Sequence, residues 1–141
     1  KEALPVLRYR TGDMTTLTSG ECDCGRTTVR MDNVTGRTDD LLIVRGVNVY
    51  PSEIESVVLE FEEVAPYYRI DLRREDGLDA MELTVELAEG FDGPVSGVRE
   101  RILDRLSNVL SFTPDDLSLV RPGEIARTEV GKVQRVYDHR G

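Results

Sequence analysis

A short apolar run at residues 41–44 and a mainly apolar one at 47–50 flank the pair Arg45-Gly46. Apolar runs on either side of a two-residue, glycine-containing turn are typical of a β-hairpin. Pro51 follows immediately, and proline is tolerated in the first turn of a helix. The pattern therefore predicts a hairpin with a helix directly behind it.

The helix that opens at Pro51 is predicted to end near Val64. Ser52, with Glu55 three residues later, fits a capping box at its start. Apolar residues then recur at helical spacing and form one stripe, namely Ile54, Val57, Val58 and Phe61. We expect this stripe to be buried and the intervening glutamates to face solvent.

The rest of the chain continues the alternation of strand and helix patterns. Residues 68–72 and 81–87 alternate apolar and polar positions around an acidic turn, which predicts a second hairpin. A second amphipathic helix is predicted at 94–110, and short strands at 117–120 and 133–137. This order predicts an α+β fold, a small antiparallel sheet with two helices on one face.

The first third of the chain has a different character. Residues 5–10 and 27–31 fit short strands, but the segment has little helix pattern and no evident core of its own. It is typical of the β-rich edge of a larger domain. The chain also begins at Lys1 without a methionine, and we expect it to be part of a longer protein.

The charge balance narrows the classes of partner. The 141 residues include 27 acidic and 18 basic ones, a net charge of −9. Such acidity argues against nucleic acid and against an anionic membrane surface as partners. No apolar run approaches the length of a membrane span and no signal-peptide pattern is present, so a cytoplasmic protein is expected.

Two cysteines, Cys22 and Cys24, lie one residue apart in a polar turn. A disulfide across one residue is strained, and two thiolates do not complete a tetrahedral zinc site. A polar turn that holds two thiols is the simplest interpretation. A zinc site completed by ligands elsewhere in a longer chain is the functional alternative.

Three polar motifs in a fixed order change the interpretation of the whole chain. They are YRTGD at 9–13, GRTDDLLIVRGVNVYPSEIE at 36–55 and GEIARTEVGKVQRV at 123–136. They resemble the last three core motifs of the adenylate-forming enzymes, which include acyl-CoA synthetases and luciferases. The cysteine turn and the residues of the second motif are similar to those of phenylacetate–CoA ligases and their aryl-acid relatives.

The resemblance implies a role for each matching residue. Asp13 matches the acidic residue that binds the nucleotide ribose, and Arg37 matches an arginine near the ribose and phosphate. Asp39 matches the hinge residue about which a mobile lid rotates. The implied domains are a β-rich end of the large N-terminal domain at 1–36, a hinge at 37–40 and the C-terminal lid at 41–141.

Two lid positions would serve the two half-reactions. Gly46, with Arg45 before it, matches the hairpin that lines the pantetheine channel of coenzyme A, where a side chain would obstruct the thiol. Lys132 matches the catalytic lysine that bridges carboxylate and α-phosphate oxygens. Ala126 stands where many relatives have a proline, a departure that would loosen the lysine segment.

The implied reaction is that of an ATP-dependent, AMP-forming acid–thiol ligase. A carboxylate and ATP with Mg²⁺ give acyl-AMP and pyrophosphate, and the thiol of coenzyme A then displaces AMP to give the thioester. An aryl acid such as phenylacetate, hence phenylacetate catabolism, is the substrate class implied. The chain alone, without the large domain, is expected to be inactive, and its exposed docking face would favour a homodimer.

Three alternatives stay open on the sequence. The chain could be a free-standing, non-catalytic ferredoxin-like binding or regulatory module, in which Lys132 and Asp39 are ordinary surface charges. The enzyme could transfer its acyl group to a carrier-protein thiol instead of coenzyme A. Cys22 and Cys24 could form the basis of a zinc-dependent module.

Overall fold

The computed structural model describes residues 11–34, 36–37, 40–127 and 133–141. The chain divides into two compact units, of which the first ends at Leu41 and the second begins at Leu42. The predicted strand at 5–10, and the residues Asp39 and Lys132, lie outside the described residues.

The first unit consists of short two-stranded pairs. Its strands are β1 (Asp13–Met14), β2 (Leu17–Thr18), β3 (Arg30–Met31) and β4 (Gly36–Arg37). β1 pairs with β4 and β2 pairs with β3, both antiparallel. Cross-strand neighbours Leu17 and Met31 are 66% and 65% exposed, and none of the unit's described side chains is buried. The described residues of this unit thus form no buried core.

The second unit carries both helices and the main sheet. Its elements are β5 (Leu42–Val44), β6 (Val47–Val49), α1 (Pro51–Val58), β7 (Val64–Glu75), β8 (Leu78–Leu87), α2 (Val95–Leu110), β9 (Asp116–Val120) and β10 (Val136–Asp138). β5 and β6 form a separate antiparallel hairpin, and the four-stranded sheet has the order β10-β7-β8-β9. Among the described residues, no helix is both long and apolar enough to cross a lipid bilayer.

The core forms on one face of the sheet. Ile70 of β7 lies opposite Leu83 of β8, and Leu72 lies opposite Met81, so that the apolar positions of the two strands share a face. All four side chains are at most 1% exposed. They belong to one cluster with the apolar stripes of both helices, including Ile54 of α1 and Ile102 and Leu106 of α2. The predicted α+β class with two helices on one face is therefore confirmed.

The start of α1 differs from the sequence prediction. Its N-cap is Tyr50, whose amide donates to Oε2 of Glu53 at 3.4 Å, and not Ser52 with Glu55 as predicted.

The direction of the outer strands and the end of α1 also differ from the prediction. The sheet is antiparallel only at its centre, because β10 runs parallel to β7 and β9 runs parallel to β8. α1 ends at Val58 instead of near Val64, since the amides of Glu60 and Phe61 bond to carbonyls three residues back and close turns. Phe61 still packs against the core from that turn.

Candidate functional site

The tip of the β5–β6 hairpin is a two-residue turn formed by Arg45 and Gly46. Both residues have positive φ, 51° and 80° respectively, as a type I′ turn requires. A Cβ built on Gly46 would meet no atom within 4 Å. Gly46 is therefore an open position on the second unit, where a side chain would project without a clash inside the unit.

The Arg45 side chain turns back from this tip onto the sheet. Its Nη1 lies 3.1 Å from Oδ1 of Asp115, and its Nη2 donates to the carbonyl of Thr113 at 3.4 Å. The guanidinium also lies 5.0 Å from the centroid of the Phe112 ring. Asp115 accepts a further hydrogen bond from the amide of Met81 through Oδ2 at 2.9 Å. Arg45 thus links the hairpin tip to strand β8.

A second arginine, Arg140, holds strand β5 of the same hairpin. Its Nη1 donates to the carbonyl of Ile43 at 2.6 Å and to Oδ2 of Asp79 at 2.9 Å. Its Nε and Nη2 bind the two carboxylate oxygens of Asp138 at 2.9 and 2.7 Å. This contact lowers the pKa of Asp138 from 3.8 to about 2 and raises the pKa of Arg140. The hairpin is therefore fixed to the sheet at both its tip and its first strand.

The segment before the lysine is held by a buried carboxylate, Glu86 of β8. Glu86 is 0% exposed, and its oxygens accept from the amides of Gly123 and Ile125 at 3.0 and 2.8 Å. The guanidinium of Arg127 donates to both oxygens at 2.9 and 2.7 Å and covers the Tyr67 ring, 3.4 Å from its centroid. Burial opposes ionisation of Glu86, but these hydrogen bonds outweigh it and the pKa of the carboxyl is lowered.

The segment after the lysine is held by a second carboxylate. Arg135 forms an ion pair with Glu55 of α1, and its guanidinium lies 4.6 Å from the centroid of the Tyr68 ring. The Tyr68 hydroxyl donates to the carbonyl of Pro51 at 3.2 Å. Burial raises the pKa of Tyr68 above its ordinary value.

The two anchored ends lie close together. Residues 125–127 and 133–135 line the same cavity of about 210 Å³, with Pro66, Tyr67 and Tyr68 as its other wall. Lys132 itself falls between these ends and lies outside the described residues.

The two predicted nucleotide-binding residues meet in the first unit. Asp13 and Arg37 are cross-strand neighbours of β1 and β4. The Arg37 Nη1 lies 3.6 Å from Oδ1 of Asp13, and both side chains are about one-third exposed, at 37% and 33%. A carboxylate and a guanidinium presented together can accept from hydroxyls and donate to an anion. The structure brings these residues together, and their binding of nucleotide stays a prediction.

Cys22 and Cys24 lie in a turn closed by the hydrogen bond from the Gly25 amide to the Cys22 carbonyl at 2.7 Å. Hydrogen bonds from the backbone and thiol of Cys24 lower the pKa of the Cys22 thiol. Both thiols are free. Within the part of the chain that the structure describes, no group of three or more histidine, cysteine or acidic residues is placed to hold a metal ion. The alternative of a zinc site therefore gains no support from the described residues.

The second unit has two helices over a four-stranded sheet and carries the third polar motif between β9 and β10. This α+β arrangement is of the class expected for the C-terminal domain of adenylate-forming enzymes. The chain belongs to that family: the model of the AMP-binding enzyme C-terminal domain matches residues 46–140.

Similar proteins agree with this assignment. Phenylacetate-coenzyme A ligase of Thermus thermophilus is 46% identical over 156 residues, which cover 99% of this chain and 35% of the relative. A solved domain of the Bacteroides vulgatus phenylacetate-coenzyme A ligase has a TM-score of 0.66 at 31% identity, over 73% of this chain and 95% of that one.

A third relative has been solved with its ligands. 2-Hydroxyisobutyryl-CoA ligase in the postadenylation state, in complex with an acyl-AMP, has a TM-score of 0.75 at 36% identity. The match covers 92% of this chain and 28% of that one. The chain thus spans about a third of the length of the curated relatives that it matches.

Proposed function

We propose that this chain contains the lid of an ATP-dependent, AMP-forming acid–thiol ligase of the phenylacetate–CoA ligase type. The observation that carries the proposal is the 46% identity to a phenylacetate-coenzyme A ligase, which extends over 99% of the chain and includes both units. The same proposal accounts for the exposed apolar strands of the first unit, which would complete a larger adenylation domain. Residues 37–40 would be the hinge, with Asp39 as its pivot.

In the proposed first half-reaction, a carboxylate oxygen of the substrate attacks the α-phosphorus of ATP and pyrophosphate leaves. Lys132 would stabilise the negative charge that the carboxylate and α-phosphate oxygens share in the transition state. Asp13 would accept hydrogen bonds from the ribose hydroxyls, and Arg37 would donate near the phosphate. Mg²⁺ enters with ATP and neutralises phosphate charge.

In the proposed second half-reaction, the thiol sulfur of coenzyme A attacks the acyl carbon, AMP leaves and the thiol proton is released. The β5–β6 hairpin would then line the pantetheine channel at Arg45 and Gly46. The open surroundings of Gly46 support this role, because the tip could approach a narrow ligand without a side chain between them. The related 2-hydroxyisobutyryl-CoA ligase has been solved with an acyl-AMP and CoA in the thioesterification state.

The test is acid-dependent pyrophosphate release by the full-length enzyme, with ATP, Mg²⁺ and a panel of aryl acids that includes phenylacetate. We expect release for the wild type and a loss of about 100- to 1,000-fold for Lys132→Ala, the range for removal of one well-placed transition-state donor. Lys132→Arg is the control that keeps the charge and changes its geometry. Equal rates in wild type and Lys132→Ala would refute the assignment.

The thiol acceptor and the assembly state are tested separately. Coenzyme A and a phosphopantetheinylated carrier protein, offered to the same acyl-AMP-loaded enzyme, distinguish the two acceptors, and we propose that coenzyme A reacts. The proposed homodimer is tested by sedimentation of the 141-residue chain, for which a monomer at all concentrations would exclude it.

A further inference from the structure

Glu86 has an environment unlike that of the other acidic residues on its strand. Its carboxylate is 0% exposed, although it lies on the polar side of the alternation on β8. Glu82, which lies on β8 like Glu86, forms an ion pair with Arg73 of β7 at 3.5 Å, and the Glu82 side chain is 40% exposed. A buried carboxylate is costly unless its oxygens are fully paired, so its donors must be held in place as long as it is ionised.

Among the residues that the structure describes, the donors to Glu86 all come from one short stretch of chain, residues 123–127. The amides of Gly123 and Ile125 and the guanidinium of Arg127 converge on the carboxylate at 2.7 to 3.0 Å. The Arg127 guanidinium also stacks on the ring of Tyr67 of β7. Backbone and side chain of this stretch are therefore fixed to the sheet through a single carboxylate.

This stretch leads directly into the lysine segment. Arg127 immediately precedes Thr128, and Lys132 follows five residues after Arg127. On the far side, Arg135 is fixed by Glu55. Both ends of the segment that carries the lysine are thus held by arginine–carboxylate pairs, and the Glu86 pair is the one whose carboxylate is buried.

We infer that Glu86 is a positioning residue for adenylation, which acts by fixing residues 123–127 and through them the place from which Lys132 reaches the reacting oxygens. This inference rests on the proposed role of Lys132. The hairpin tip at Gly46 is fixed by different residues, so Glu86 should matter for the first half-reaction and not for the second.

The experiment uses the full-length enzyme and measures the two half-reactions separately. Adenylation is followed by acid-dependent pyrophosphate release, and thioester formation by the reaction of preformed acyl-AMP with coenzyme A. Glu86→Gln keeps the size of the side chain and removes its charge. Glu82→Gln makes the same change at the exposed position and is the matched control.

We expect Glu86→Gln to slow adenylation about 10- to 100-fold, because misplacement of a catalytic group by about 1 Å can cost that much. Thioester formation by the same variant should stay at the wild-type rate, which also shows that the lid is folded. Glu82→Gln should keep both rates. In a Lys132→Ala background, Glu86→Gln should cause no further loss, since it acts through the lysine.

Arg127→Ala provides a second variant if Glu86→Gln does not fold. Its side chain is 42% exposed, and its removal leaves both amide donors on Glu86. We expect the same selective loss of adenylation. Two outcomes would overturn this inference and leave the proposed function standing. One is an equal loss in both half-reactions; the other is wild-type adenylation in both variants while Lys132→Ala is inactive. Wild-type adenylation in Lys132→Ala would instead overturn the proposed function, and this inference with it.

Discussion

Two glycines with closely similar φ values allow a direct test of the hairpin tip. Gly46 follows Arg45 in the β5–β6 turn, and Gly77 follows Asp76 in the β7–β8 turn. In each turn both residues have positive φ, 51° and 80° in the first and 50° and 84° in the second. A Cβ on either glycine meets no atom within 4 Å. Replacement of Gly46 or Gly77 by leucine therefore imposes similar backbone strain, and at neither position does the Cβ itself clash.

The cost of that strain can be estimated. A side chain in the left-handed region costs roughly 1–2 kcal/mol relative to glycine. We expect Gly46→Leu and Gly77→Leu to lower the free energy of unfolding of the 141-residue chain by this amount. The two losses should agree within about 0.5 kcal/mol, as measured by urea denaturation.

Catalysis should separate the two variants. If Gly46 lines the pantetheine channel, its leucine variant should slow thioester formation from acyl-AMP and coenzyme A by about 100-fold, because the thiol cannot reach its attack position. Gly77→Leu should keep the wild-type rate, and both variants should keep adenylation. Equal thioester rates in the two variants would refute the assignment of the hairpin tip to the channel.

Two further predictions concern stability. Leu83→Ala removes a core side chain that is 1% exposed and should lower the free energy of unfolding, measured by urea denaturation, by about 2–5 kcal/mol. Leu78→Ala, on the same strand but 67% exposed, should change it by no more than about 0.5 kcal/mol. Similar losses for both variants would contradict the described core. Because the folded pKa of Asp138 is about 2 against an ordinary 3.8, its contribution to stability is present above about pH 4 and is lost as the pH falls towards 2. Arg140→Met should return this pKa towards 3.8 in an NMR titration of the carboxyl carbon, and an unchanged titration would rule out the ion pair as its cause.

The sequence pattern located the elements of the second unit well, because strand and helix periods follow directly from which face is buried. It did not reveal the direction of the outer strands. Alternation is the same in parallel and antiparallel pairs, and the available signal was the connection: β8 reaches β9 through α2, and a crossover of that length favours a parallel pair.

The site was only partly accessible from the sequence. Matching motifs marked Asp13, Arg37 and Gly46, and the structure brings the first two together. Glu86 was missed, because the alternation of β8 groups it with exposed polar residues such as Glu82. Its burial depends on residues 123–127, which are distant in sequence, and no local pattern records such a contact.

The pairing of β10 with β7 has a consequence for how the domain is made. Val136 of β10 lies beside Ile70, far back in the chain. During synthesis β7 and β8 can pair as a local hairpin and α2 and β9 can follow, but the outer edge of β7 stays open until residues 136–138 emerge. An unpaired edge can recruit strands of other chains. The nascent second unit therefore passes through a stage at which aggregation competes with folding, and the last strand to form ends that risk.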